Sequence, residues 1–285
     1  MKKRMIVLLA TLLLISGSAL GEYRWAGEFP AAPQQLTPGY TVSVNPQVKA
    51  MAEQALGILG FPQSGIEWEG EELFAQDRPE DTGERATLRY NKRGDLHYAK
   101  DSQARQTTDP NEALAQSVAF AEKLLGSRKY MPQMPRIGWY YEQSGQLMTS
   151  IYDFIWPLKT PEGVPLSDKS LTVTYANGLV SALHLWDGIL TPVEGEQSNA
   201  PYQDASAALA RLNEIASRQE STTLDDPNDL LESIYLTYTP VFSQEGTYTP
   251  AWAFQLRDAN SYQQKATAFV ELATGKVYDG RRILE

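Results

Sequence analysis

Residues Tyr175–Gly188, YANGLVSALHLWDG, decide the fold. They hold His184, one of two histidines in the chain, with Trp186 and Asp187 close behind it. Two readings compete: a reactive corner carrying His184 and Asp187, or the bend of a β-hairpin whose residues pack. Asn177-Gly178 separates two strand-like runs, Leu171–Tyr175 and Leu179–Trp186. A tight turn between such runs needs positive φ, where glycine is cheapest, so the pattern predicts a hairpin. Leu179, Leu183 and Leu185 are then expected on the core side, and His184 and Trp186 on the opposite face.

The same punctuation occurs twice more. Arg85–Tyr90 and Asp95–Tyr98 flank Asn91-Lys-Arg-Gly94, while Ala266–Leu272 and Lys276–Tyr278 flank Ala273-Thr-Gly275. A helix start precedes each hairpin. Asn45-Pro46 is an N-cap followed by proline at the first helical position, and Asp109-Pro110 with Glu112 is close to a capping box. Val48, Met51, Ala52, Ala55, Leu56 and Leu59 form one helical stripe, closed by Gly60. Leu114, Val118, Ala121 and Leu125 form the second, closed by Gly126. Ala208, Leu209, Leu212, Ile215 and Ala216 form the third, after Asp204.

From cap to turn glycine the distance is 69 residues in the second unit, 71 in the third and 49 in the first. The two long units also share aromatic strands before the hairpin, Ile137–Tyr141 with Ile151–Trp156, and Ser233–Tyr238 with Ala251–Leu256. The expected fold class is therefore α+β: tandem modules, each a helix packed on an antiparallel β-sheet. The boundaries read as an abbreviated module over 45–105 and fuller modules over 106–200 and 201–285. A Pro-rich linker over 22–44 precedes them.

Composition narrows the function classes. With 42% hydrophobic and 21% charged residues, the 285-residue chain can bury a sizeable core without staples. It has no cysteine, which removes a disulfide framework, a thiolate nucleophile and a lipid-attachment cysteine. A net charge of −10 and no concentrated basic face argue against nucleic acid. At the N-terminus, Lys2-Lys3-Arg4, the apolar run Met5–Ile15 and the small residues to Gly21 read as a signal peptide over 1–21. If uncleaved, the same segment is a membrane anchor, the one expected membrane contact. Either way the body is extracytoplasmic, secreted or anchored, and cleavage takes its charge to −13 by removing three basic residues.

Several segments resemble a known family. Gly163–Val180, Leu236-Thr-Tyr238, Pro250-Ala-Trp-Ala-Phe254 and Ala268–Val277 are similar to YycI, an exported regulatory family of Gram-positive bacteria related to YycH and built from PepSY-like modules. The resemblance runs from about Asp109 to Gly280. It implies an accessory regulator of a cell-wall sensor histidine kinase, with a YycH-like protein or the kinase's extracellular domain as partner. The family's longer uncleaved anchor is not matched by the signal-peptide-like start of this chain.

Chemistry-bearing patterns are sparse. No G-x-S-x-G elbow, H-E-x-x-H pair or phosphate-binding glycine loop is present, so no catalytic residue, cofactor or metal site is assigned. His97 is out of phase with Leu96 and Tyr98 and is expected to face solvent. Asp226 before Pro227 reads as a helix cap rather than a calcium ligand. Glu67-Trp-Glu69 pairs carboxylates with an aromatic and is the one local set compatible with a cell-envelope hydrolase. A PepSY-type protease inhibitor or chaperone-like module is the other alternative. Adjacent aromatics on a two-faced sheet must point to both sides, so Trp139, Tyr141, His184 and Trp186 are the candidate partner contacts. The expectation is a non-enzymatic interaction protein.

Overall fold

The caps and turn glycines act where their chemistry places them. In the computed structural model, which describes residues 23–31, 35–78, 84–101, 108–126, 129–131, 134–144, 147–194, 202–218, 229–241, 245–258 and 264–279, helix α1 spans Pro46–Leu59. The Asn45 side chain accepts from the Gln47 amide, and Gly60 ends the helix at φ 70°. Helix α2, Pro110–Leu125, starts under Asp109, whose carboxylate accepts from the Asn111 and Glu112 amides, and ends at Gly126 with φ 64°. Helix α3, Ala205–Arg218, follows Asp204, which accepts from the Ala207 amide at 2.7 Å. The export segment 1–21 lies outside the described residues. Among those described, no helix is long and apolar enough to cross a membrane.

The chain forms two units, 41–191 and a second made of residues up to 40 with those from 192 onward, and strands β1 (Tyr40–Val44) and β10 (Gly188–Pro192) run across the two boundaries in sequence. In the first, strands β2 (Ile66–Glu69), β3 (Glu72–Asp77), β4 (Arg85–Tyr90), β5 (Asp95–Asp101), β6 (Arg136–Ser144), β7 (Leu147–Lys159), β8 (Pro165–Ala176) and β9 (Leu179–Trp186) make one sheet. Every neighbouring pair is antiparallel, in the order β2-β3-β4-β5-β9-β8-β7-β6. The helix–strand groups expected over 45–105 and 106–200 thus contribute to a common sheet, joined where β5 pairs with β9 from Asp95↔Trp186 to Ala99↔Ala182.

Both helices of this unit cover one face. Helix α1 packs on β4 and β5, and α2 on β7, β8 and β9. The core beneath them includes Leu73, Leu88, Leu96, Leu171, Leu183 and Leu185. Each such side chain taken out of water contributes about 1.5–3 kcal/mol before entropy is counted. The α1 stripe is as expected. The inward line of α2 is instead Ala113, Ser117, Ala121, Leu124 and Leu125, with Leu114 and Val118 only partly buried. Small residues face inward because α2 sits against both the sheet and α1, and the tighter line takes the closest approach.

The opening hairpin forms with Asn177 at φ 57° and Gly178 at φ 81°, both positive as a two-residue turn that follows the strand twist requires. One expectation fails there. Leu183 and Leu185 are fully buried, but Val180, not Leu179, is the next core residue. The register passes from Thr174↔Ala182 to Tyr175↔Val180, so Ser181 is an extra residue in a β-bulge and reverses the alternation on its turn side.

In the second unit, β11 (Asp229–Pro240), β12 (Thr247–Asp258), β13 (Gln264–Glu271) and β14 (Val277–Asp279) form an antiparallel meander packed by α3. The α3 stripe is the expected one, with Ala205 added. Trp252 is fully buried, and its indole N–H donates to the Gln203 carbonyl at 2.8 Å. Within the stretch expected as a linker, Tyr23, Leu36 and Tyr40 are buried. Tyr23 exchanges two hydrogen bonds with the Asn213 side chain on α3, at 2.8 and 3.0 Å. Asp226 and Pro227 lie outside the described residues; strand β11 begins at Asp229.

Candidate functional site

Strand alternation leaves the 41–191 sheet with one helix-covered face and one on which, among the described residues, no helix of that unit packs. Residues directly opposed across an antiparallel pair share a face. Following the register across the sheet gives a single row: Glu67, Phe74, Arg89, His97, His184 and Thr172. None of these belongs to the buried core, and the next row toward the hairpin ends, Leu73, Tyr90, Leu96, Leu185 and Leu171, is core throughout.

The open row lines a groove of about 850 Å³. Its acidic wall is Glu67, Glu69, Glu72 and Asp95, and Phe74, Arg89, His97 and His184 stand on the same face. Trp68, Leu73, Tyr90 and Asn91 border it, with Trp68 paired opposite Leu73 and the Lys49 ammonium of α1 5.7 Å from its ring centroid. The Arg89 guanidinium stacks 4.9 Å from the Phe74 ring, so its planar face is engaged within the sheet. The imidazoles of His97 and His184 stand 6.0 Å apart, centroid to centroid. His184 Nε2 lies 3.4 Å from Asp95 Oδ1, and its side chain is 46% exposed.

His97 is half-buried rather than turned to solvent, because His184 and Arg89 flank it on the neighbouring strands. Burial lowers its pKa below the ordinary histidine value; the neighbouring His184 and Arg89 push the same way, and Asp95 opposes them. Asp95 is itself placed by the turn before it. The Asn91 side-chain carbonyl accepts from the Arg93 and Asp95 amides, and the Asn91 amide donates to Asp95 Oδ2 at 2.8 Å.

Of the four sequence-derived contact residues, His184 and Trp186 can be placed, and they border different pockets. His184 lines the groove. Trp186 is half-buried, with the Lys169 ammonium 3.5 Å from its ring centroid, and borders a separate 190 Å³ pocket with Lys129 and Tyr130. The register sets Trp139 opposite Tyr152 and Tyr141 opposite Ser150, whereas the His184 row continues through Thr172 and Ile155 to Arg136. The side chains of Trp139 and Tyr141 lie outside the described ones.

Asp187 has a different role from the one a reactive corner would give it. It is 8% exposed, and its Oδ2 accepts from Asn45 Nδ2 at 2.9 Å and from the Tyr130 hydroxyl at 2.8 Å. Burial raises the Tyr130 pKa, reinforced by this hydrogen bond and by the carboxylate charge. Asp187 therefore ties the end of β9 to the cap of α1 and to the segment after α2. Sequence reasoning missed this function; a carboxylate after an alternating strand gives no sign of where its partners stand.

Among the described residues no group of three or more His, Asp or Glu is placed to hold a metal ion. Fold and groove together define an α+β protein with a helix-sealed core and an open sheet face of mixed acidic, aromatic and imidazole character. The chain matches no protein-family model and no curated protein. Among solved structures it is similar to an uncharacterized protein from Eubacterium rectale ATCC 33656, at 12% identity, TM-score 0.48, and 84% of each chain covered. It is also similar to the YpeB C-terminal domain of Bacillus megaterium, at 12% identity and TM-score 0.35, over 84% of this chain and 98% of that one. YycH from Bacillus subtilis is a third, at 12% identity and TM-score 0.39, over 88% of this chain and 53% of that one. At such identities and scores the likeness assigns neither family nor activity.

Proposed function

We propose that this chain is a non-enzymatic extracytoplasmic regulatory protein that works by binding another protein. The observation that carries the reading is the open row from Glu67 to His184, set on the face opposite the two helices and lining an 850 Å³ groove. Mixed charge beside aromatic surface is recognition chemistry, in which aromatics supply contact area and charges select the partner. The signal-peptide pattern at 1–21 supports an extracytoplasmic position for this face, and the YycI-like segments between Asp109 and Gly280 favour an accessory role. The partner is then a YycH-like protein or the extracellular domain of a cell-wall sensor histidine kinase, and the three helix–strand groups are PepSY-like modules.

Calorimetric titration of the exported form, residues 22–285, against each purified partner tests the reading. A saturable one-to-one complex with either is expected. Absence of a complex with both, together with turnover of a cell-wall substrate that Glu67→Gln abolishes, would overturn it.

A further inference from the structure

We propose that the groove on the 41–191 sheet receives an extended, lysine- or arginine-bearing segment of the partner polypeptide, laid across strands β2 to β9. This rests on the protein-binding reading above and adds the site and the chemistry of the bound segment. Size comes first. An 850 Å³ groove lies within the range of built binding sites, well beyond the needs of a single ion. Four strand spacings separate β2 from β9, about 19 Å, which an extended segment covers with about six residues.

Charge then selects the occupant. Four carboxylates, Glu67, Glu69, Glu72 and Asp95, line the groove against one guanidinium, Arg89. Glu72 accepts from the Lys92 amide, and Asp95 is held by Asn91 and faces His184. Among the described residues, however, neither the Glu67 nor the Glu69 carboxylate has a hydrogen-bond or ion-pair partner. A phosphate, a carboxylate ligand or an acidic peptide would meet uncompensated negative charge on this wall. A basic side chain would find two free carboxylates, with Phe74 directly across the strand pair from Glu67 to cover its aliphatic stem.

The half-buried His97 makes the preference sensitive to pH. His97 and His184 face Arg89 on β4, Asp95 on their own ladder, Glu67 at the far end of the row and the uncharged Thr172 on β8. Protonating His97 adds a positive charge to the wall that attracts the segment. Binding of a basic segment therefore weakens as the pH falls below the histidine range.

The test is fluorescence anisotropy with residues 22–285 and a labelled hexapeptide of alternating lysine and valine. The same peptide with glutamate for lysine and the polyamine spermidine are the comparison ligands. The lysine peptide is expected to saturate one site at pH 7.5 and to weaken at pH 5.5. The Glu67→Gln/Glu69→Gln variant is expected to bind about tenfold more weakly, as two exposed charge pairs would give. Glu28→Gln/Glu53→Gln removes the same charge elsewhere and is expected to leave binding unchanged.

Equal losses in both double variants, equal binding of the glutamate peptide, or spermidine binding as tightly as the lysine peptide would each overturn the proposal. Partner binding unaffected by Glu67→Gln/Glu69→Gln would sink the groove assignment and leave the protein-binding reading standing. Peptide binding in the groove with neither protein partner bound would do the reverse.

Discussion

Replacing Asp187 by alanine should destabilise the 41–191 unit without touching its open face. Asp187 Oδ2 accepts two buried hydrogen bonds, from Asn45 Nδ2 at 2.9 Å and from the Tyr130 hydroxyl at 2.8 Å. Bonds to a charged acceptor are worth about 1.5–3 kcal/mol each, and their loss strands both donors. Lys129, 3.7 Å away but 59% exposed, adds little after solvent screening. Part of the penalty is recovered if water enters the vacated space, so Asp187→Ala should cost about 3 kcal/mol. Asp187→Asn is the informative partner. Its carbonyl can occupy the Oδ2 position and accept both bonds at neutral strength, so the cost should fall to about 1–2 kcal/mol. The assay is urea unfolding followed by hydrogen exchange in peptides from 41–191. With a slope of about 2 kcal/mol/M, the alanine variant should lose about 1.5 M in midpoint and the asparagine variant about half that. A loss under about 0.5 kcal/mol for alanine, or equal losses for the two, would refute the hydrogen-bond argument.

Other residues make independent predictions. Ser117 is fully buried in α2, and its hydroxyl has no hydrogen-bond partner among the described residues, so Ser117→Ala should stabilise by about 1 kcal/mol in urea unfolding; a loss would mean the hydroxyl is satisfied. Burial, helped by Glu84, pushes Tyr98 up to about 12, and burial with Glu271 pushes Tyr278 up to about 12. Their stabilising contribution is complete below the unfolded value near 10 and is lost as pH rises toward 12, so the part of the tyrosinate absorbance that Tyr98→Phe/Tyr278→Phe removes should appear together with loss of circular dichroism. Appearance of that absorbance with the fold intact would contradict it. His97, lowered by burial first and then by His184 and Arg89, stabilises fully above about 6.5 and progressively less below. Its imidazole proton resonance should titrate below that value in the native protein and move up in His184→Gln; an unmoved midpoint would remove His184 from the cause. Gly178→Ala should cost about 1–2 kcal/mol, because the φ of 81° lies where a side chain is strained; an unchanged urea midpoint would deny the turn geometry.

Local chemistry was legible in the sequence, and distant pairing was not. Asn45, Asp109 and Asp204 announce helix starts because a cap and its donors are neighbours in the chain. Gly94, Gly178 and Gly275 mark turns for the same reason, and each has positive φ. Parity placed Leu183 and Leu185 in the core, then failed at Leu179, because a bulge at Ser181 has no signature in a run of alternating residues. Nothing near Asp95 says that it will lie beside His184, nor does anything near Asn45 say that its amide will reach Asp187. Those contacts come from the β5–β9 pairing and from loop closure over more than a hundred residues in the second case.

That pairing also explains why the groove has its composition. Leu96 opposes Leu185, and Tyr98 opposes Leu183, all four buried beneath the helices. With these pairs fixed, alternation sends Asp95, His97, His184 and Trp186 to the other face. A slip of one residue would bury His184 and expose Leu185, at a cost in apolar burial of about 1.5–3 kcal/mol for each leucine turned outward. The core thus holds the register, and the register selects which polar residues reach the groove. Polar positions on that face are therefore freer to vary than the leucines behind them. Glu67, Glu69 and Arg89 can set what the groove recognises without disturbing the hydrophobic pairs that assemble the sheet.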